Sequence, residues 1–132
     1  MFKKPDIDLR ALSTKANIRA LCESPIEIEF GCFLVEHARE EFIVVPQYPM
    51  GGFRFDFAIC DEKARPFVLV ECDGKEFHST PDQLENDRNK TEFAESKGVP
   101  LFRLKGSTIY RAAEPIAGAA ISLARALRGV RK

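Results

Sequence analysis

The run Phe67-Val68-Leu69-Val70 is followed at once by Glu71-Cys72-Asp73-Gly74-Lys75. An unbroken apolar run of strand length reads as a strand buried on both faces rather than one with a wet side. Such a strand belongs in the middle of a sheet and needs helices on both sides, which makes the chain α/β. The same run puts acids at the end of the most buried element, where a charge is costly unless something compensates it.

The flanking sequence supplies the other layers. Residues 8–22 read as a weak helix. Ser24-Pro25-Ile26-Glu27 is a stronger start, with serine as N-cap, proline at N1 and glutamate at N3 of a capping box. Ile26, Phe30, Phe33 and His37 then recur at helical spacing through about residue 40. Ile43-Val44-Val45 opens a strand to about Tyr48, Gly51-Gly52 marks a hairpin turn, and a strand follows from Phe53 to Cys60. Its alternation predicts Phe53, Phe55, Phe57 and Ile59 on one face and Arg54, Asp56 and Ala58 on the other. Asp61 to Pro66 reads as a second turn, leading into the apolar run.

A helix is expected from about Pro81 to Lys97, closed by Gly98, then a short strand from Val99 to Leu104. A last helix is expected after Glu114-Pro115, with Ile116, Ala120, Leu123 and Leu127 in one stripe. The expected fold is therefore an αβββαβ core over residues 24–105, a mixed four-stranded sheet flanked by helices. Extra helices at both ends complete one domain over residues 1–132.

Composition narrows the function classes. With 45% hydrophobic and 30% charged residues the chain is ordinary globular material rather than a disordered segment. Its 20 basic and 20 acidic side chains cancel, so nucleic-acid binding would depend on a local patch. Cys22, Cys32, Cys60 and Cys72 form no C-x-x-C pair and sit among apolar residues, as core thiols of a reducing compartment do. No stretch approaches the roughly 20 apolar residues of a membrane span, and the first residues lack the apolar segment of a signal peptide. The cytoplasm is the expected location, with no membrane partner.

Glu71 and Asp73, two apart on a strand, share a face. If the Phe53–Cys60 strand folds back through the 61–66 turn, residues near 56 pair with residues near 71, and Asp56 faces Glu71. Carboxylates crowded in this way repel one another. A hard divalent cation resolves the conflict, and oxygen ligands suit Mg²⁺, with Mn²⁺ as a substitute. Lys75 continues the parity of Glu71 and Asp73 and could stabilise charge on a phosphate, while His78 could move a proton. Each residue also has a plainer role: strand-end acids are usually solvated, and Asp-Gly usually marks a turn. Taken together, the acids with Lys75 and His78 favour a site. Glu27 already has a capping role, and His37 fits a core histidine on the helix stripe.

Arg54, Lys75, Arg88, Arg103 and Lys105 could line one edge near the acids and hold phosphates, although Arg88 could instead pair with Asp87 or Glu85. Gln47-Tyr48 could reach a substrate, or simply pack in its strand. No zinc finger, helix-turn-helix or RNA-binding module is recognisable. Specificity would then come from loops, a homodimer or a larger protein assembly.

Arg54-Phe55-Asp56-Phe57, Val70-Glu71-Cys72-Asp73-Gly74 and His78 together resemble the PD-(D/E)xK nuclease superfamily, and most of all its branch related to very-short-patch-repair endonucleases. Asp87-Arg88, the run Gly98 to Arg103, and Ser24-Pro25 with Glu27 follow that branch's order as well, so the resemblance covers about residues 24–105. It implies Mg²⁺-dependent hydrolysis of DNA phosphodiesters in repair, restriction or mobile-element processing. Asp56 and Glu71 would be metal ligands, Asp73 a further ligand or organiser of the water, and His78 an aid to proton transfer, with Glu27 completing the shell. The motif lacks a lysine at its third position. Either Asp73 takes that place or Asp73-Gly74-Lys75 is itself the D-x-K, and the pairing of Glu71 with Asp56 favours the first. The competing reading is a catalytically inert nuclease-fold module that binds nucleic acid or a protein partner. An unrelated acid–base chemistry of Glu71 and Asp73 stands behind both.

Overall fold

The computed structural model describes residues 9–73 and 80–130, so Lys75 and His78 lie outside the described residues. A 3₁₀ turn, Leu9–Leu12, precedes α1 (Lys15–Leu21), α2 (Pro25–Ala38), β1 (Ile43–Met50), β2 (Phe53–Cys60), β3 (Pro66–Asp73), α3 (Pro81–Ser96), β4 (Leu101–Lys105) and α4 (Gly106–Val130). The expected α/β order is present, with the weak first helix divided at Thr14, whose side chain caps α1.

The strands lie in the order β1-β2-β3-β4. The two hairpins are antiparallel and β4 joins β3 in parallel, so the sheet is mixed. β1 carries Pro46 and Pro49, which an edge strand tolerates because one side of it has no ladder to complete. Gly51 and Gly52 have φ of 61° and 81°, the left-handed pair that a two-residue hairpin requires. The next turn is built by Asp61, whose Oδ1 accepts the backbone N–H of Lys63 and of Arg65, both at 2.9 Å. Tyr48 donates its hydroxyl to the Ala64 carbonyl at 2.8 Å, so this tyrosine ties the two turns' strands together.

β3 is buried along nearly its whole length, as its apolar sequence requires. On one face Phe57, Ile59, Val68, Val70 and Cys72 pack under α2 and α4. On the other, Phe55, Ala58, Cys60 and Leu69 meet Ala94 of α3 and Val99. Each large side chain so buried contributes about 1.5–3 kcal/mol.

Two expectations need correction. Phe53 and Phe55 do not share a face with Phe57 and Ile59: the first pair packs on the α3 side, the second on the α2 side. The alternation breaks at Asp56, where the β1–β2 pairing skips from Pro46↔Phe57 to Tyr48↔Phe55. Gln47, across from the break, has φ 55°, a left-handed conformation that turns the strand. The last helix also begins earlier than expected, at Gly106, and kinks at Ala112 (φ −144°, ψ 34°). Pro115 thus falls in the first turn of the second segment, where its missing N–H leaves no bond unmade. The fully buried stripe of α4 is Ile109, Ala113, Ala117, Ala120, Ile121 and Ala124, with Ile116, Leu123 and Leu127 at its margin. The small residues bring α4 close to α2: a Cβ on Gly118 would lie 3.2 Å from the His37 ring.

Candidate acid site

β2 and β3 bring the first two acids together. Their ladder runs through Ile59↔Val68, Ala58↔Leu69 and Phe57↔Val70, so the next rung sets Asp56 against Glu71. Backbone pairing stops there. The Asp56 carboxylate accepts the Cys72 N–H instead, at 2.7 Å, so it lies between the strands rather than out in solvent.

Glu71 is 7% exposed. Its pKa is raised to about 7, by burial first and then by the neighbouring Asp56 charge, with a hydrogen bond shared between the two carboxyls adding to the rise. An ammonium opposes this. Lys90 Nζ lies 2.5 Å from Glu71 Oε1, donates to the Arg54 carbonyl at 2.8 Å, and stands 5.3 Å from the centre of the Phe55 ring. Sequence reading missed Lys90, which sits on a helix of low hydrophobicity and far from the acids along the chain. The available signal was spacing: Asp87, Lys90, Thr91 and Ala94 fall at i, i+3, i+4 and i+7, one face of α3. That face is the one turned to the sheet. Arg103 of β4 donates to the Asp87 carbonyl at 2.6 Å and to Thr91 Oγ1 at 3.1 Å, and stands 3.5 Å from the Asp87 carboxylate.

The other candidates divide. Asp73 continues the face of Glu71; burial raises its pKa, Arg103 lowers it, and Asp87 and Asp56 raise it again. Glu27 lies near enough to Asp56 for that charge to raise its pKa, after burial. Its capping role differs from expectation. Ser24 accepts the Glu27 N–H at 3.2 Å, but the Glu27 carboxylate turns to the N–H of Glu23 at 3.4 Å. Arg54 is exposed and only 3.6 Å from Glu23. Arg88 is exposed and pairs with neither Asp87 nor Glu85, and Lys105 is exposed at the end of β4. Arg103 is already engaged with α3. Among the described residues, no three His, Cys, Asp or Glu side chains are gathered closely enough to hold a metal ion between them.

Cys22, Cys60 and Cys72 offer no competing nucleophile. All are free, and burial raises the thiols of Cys22 and Cys60 to about 12 and that of Cys72 further still, with the nearby acids adding to the effect at Cys22 and Cys72. Among the described residues, no helix is long and apolar enough to cross a membrane.

A protein-family model, REase_MTES_1575, matches residues 34–120, which include every strand and the Asp56–Glu71–Lys90 cluster. No curated protein and no solved structure matches the chain.

Proposed function

The chain belongs to the REase_MTES_1575 family, a restriction-endonuclease-like and hence nuclease-type family, and from that membership we propose that it is a Mg²⁺-dependent endonuclease of the PD-(D/E)xK kind acting on DNA. The observation that carries the reading is the contact between Asp56 and Glu71, two carboxyls crowded at the end of a buried strand. Apolar packing gives no reason for that contact.

The donor set fits a hard cation. Mg²⁺ usually takes one or two carboxylates and fills its remaining positions with water and substrate phosphate. Asp56 and Glu71 would hold it, with Asp73 and Glu27 within reach of the same field. When bound, such an ion polarises a phosphoryl oxygen and lowers the pKa of a water. The protein's own groups do the rest. Asp56 is fixed by the Cys72 N–H, so its free oxygen has one direction to point. Arg103 locks α3 over the sheet and thereby sets the position of Lys90. Lys90 carries the positive charge that the strand motif lacks. His78 and Lys75 remain candidates for proton transfer and phosphate binding. Exposed Arg54, Arg88 and Lys105 are the phosphate contacts; they position a backbone without reading bases. The order of Asp56, Glu71-Cys72-Asp73 and Asp87-Arg88 supports the branch related to very-short-patch-repair enzymes.

The test is nicking of supercoiled DNA with Mg²⁺ or Mn²⁺. Wild type should nick, and Asp56→Ala and Glu71→Ala should lose at least about 100-fold, as expected when a metal ligand is removed. The competing reading is a binding module of the same fold that does not cut. Equal, metal-independent behaviour of wild type and Asp56→Ala would establish that competing reading.

A further inference from the structure

Lys90 has a stem long enough to reach solvent, yet it is folded inward. Its side chain is 14% exposed and that of Glu71 10%. Its ammonium has three surroundings: the Glu71 carboxylate at 2.5 Å, the Arg54 carbonyl at 2.8 Å and the Phe55 ring face at 5.3 Å. Each favours a cation: an anion, a carbonyl dipole and an aromatic quadrupole. Asp56 adds a second negative charge behind Glu71. The chain has therefore built a cation pocket and filled it with its own side chain.

We propose that Lys90 is a resident counter-ion that a divalent cation must displace from Glu71, so that metal occupancy of the acid pair and the hold of α3 on the sheet are coupled. The proposal rests on reading Asp56 and Glu71 as metal ligands. A divalent ion on Glu71 Oε1 and an ammonium within hydrogen-bond distance of that same oxygen repel each other strongly in a site of low exposure. The lysine can yield, because its flexible four-carbon stem lets the charge swing away without moving the backbone. The Arg54 carbonyl loses its Lys90 donor when that happens.

What remains of α3's attachment is then small. Ala94 is its one fully buried residue among those described. Arg103 holds its middle through Asp87 and Thr91, which flank Lys90, and Phe93 packs near Phe53 with ring centres 5.6 Å apart. Releasing Lys90 would leave the helix held to the sheet chiefly by Arg103, Ala94 and Phe93. Exposed Arg88, next on the same helix, would share in that freedom, so metal arrival and phosphate contact would be linked through one element.

Two measurements test this. Calorimetry with Mn²⁺ on wild type and Lys90→Met should show the variant binding about tenfold or more tightly, because its pocket no longer holds a competing charge. Equal or weaker binding by a folded Lys90→Met overturns the proposal. Should that variant fail to fold, the wild-type protein carries the second measurement. The Lys90 ammonium, shielded in the free protein, should give a ¹⁵N–¹H resonance that shifts or exchanges away as diamagnetic Mg²⁺ saturates the site. A resonance unchanged at saturation overturns the proposal while leaving the metal site intact. Absence of Mn²⁺ binding to wild type and Lys90→Met alike defeats the metal reading itself, a different and separable outcome.

Discussion

Asp56 and Glu71 hold opposite electrostatic positions although they touch. Asp56 has a backbone donor and partial exposure, whereas Glu71 is enclosed and, among the described residues, is balanced by Lys90. Burial and then Asp56 raise the Glu71 pKa from its ordinary 4.5 to about 7. A carboxyl raised in the folded state favours folding when protonated, so its contribution is fully present below about 4.5 and is lost as pH rises through about 7. The metal-free protein should therefore lose about 3 kcal/mol of stability across that window, measured by urea unfolding at a series of pH values. Glu71→Gln should flatten the slope. The same ionisation acts in reverse on a cation. Mn²⁺ affinity should rise with pH through about 7, because the metal requires the deprotonated carboxylate. A metal affinity that is flat in pH, together with a flat stability curve, would show that Glu71 is ionised throughout.

At the scale of elements, α3 depends on a few specific contacts. Gly51, in the β1–β2 turn, has φ 61°, and a Cβ there would lie 2.1 Å from the Phe93 ring. Gly51→Ala should cost about 2 kcal/mol in denaturant unfolding, from strain at a positive φ and from displacement of Phe93. Arg103→Ala removes hydrogen bonds to Asp87 and Thr91 and should cost about 1–2 kcal/mol, with faster amide exchange concentrated in α3.

These contacts also explain what the sequence disclosed and what it withheld. The β3 run, the glycine hairpin and the register that sets Asp56 against Glu71 follow from periodicity and turn chemistry, which are local. The face change at Asp56 depends on Gln47 taking a left-handed φ in the neighbouring strand, and no alternation pattern encodes that. The first segment of α4 begins on Gly106-Ser107-Thr108, poor helix formers that packing of Ile109 and Ala113 overrides. Lys90 was hidden for a related reason: a lysine on a polar helix looks solvated until the tertiary fold places an acid beneath it.

For the molecule as a whole, the sheet divides the chain into a thick side and a thin one. α2 and α4 bury most of the core on one face, and α3 covers the other with little apolar surface. Glu71 and Asp73 share the thin side with the helix that carries Arg88, while Asp56 lies between the strands. A chain with 20 basic and 20 acidic side chains has no overall field to draw in a polyanion. On the proposed function, the described cations near the acids that could leave their present surroundings for a phosphate are Arg54, Arg88 and Lys105, since Arg103 is committed to α3. Each phosphate contact contributes about 0.9 to the slope of log affinity against log salt, so the described cations predict a shallow slope, near −3. Arg88→Ala and Lys105→Ala should each weaken binding on every sequence alike and reduce the slope by about one, in a fluorescence-anisotropy titration at several salt concentrations. Arg103→Ala should leave the slope nearly unchanged and act through stability. If Arg103→Ala instead matched the other two in slope, its guanidinium would be a phosphate contact, and α3 would have to move away from β4 for DNA to bind.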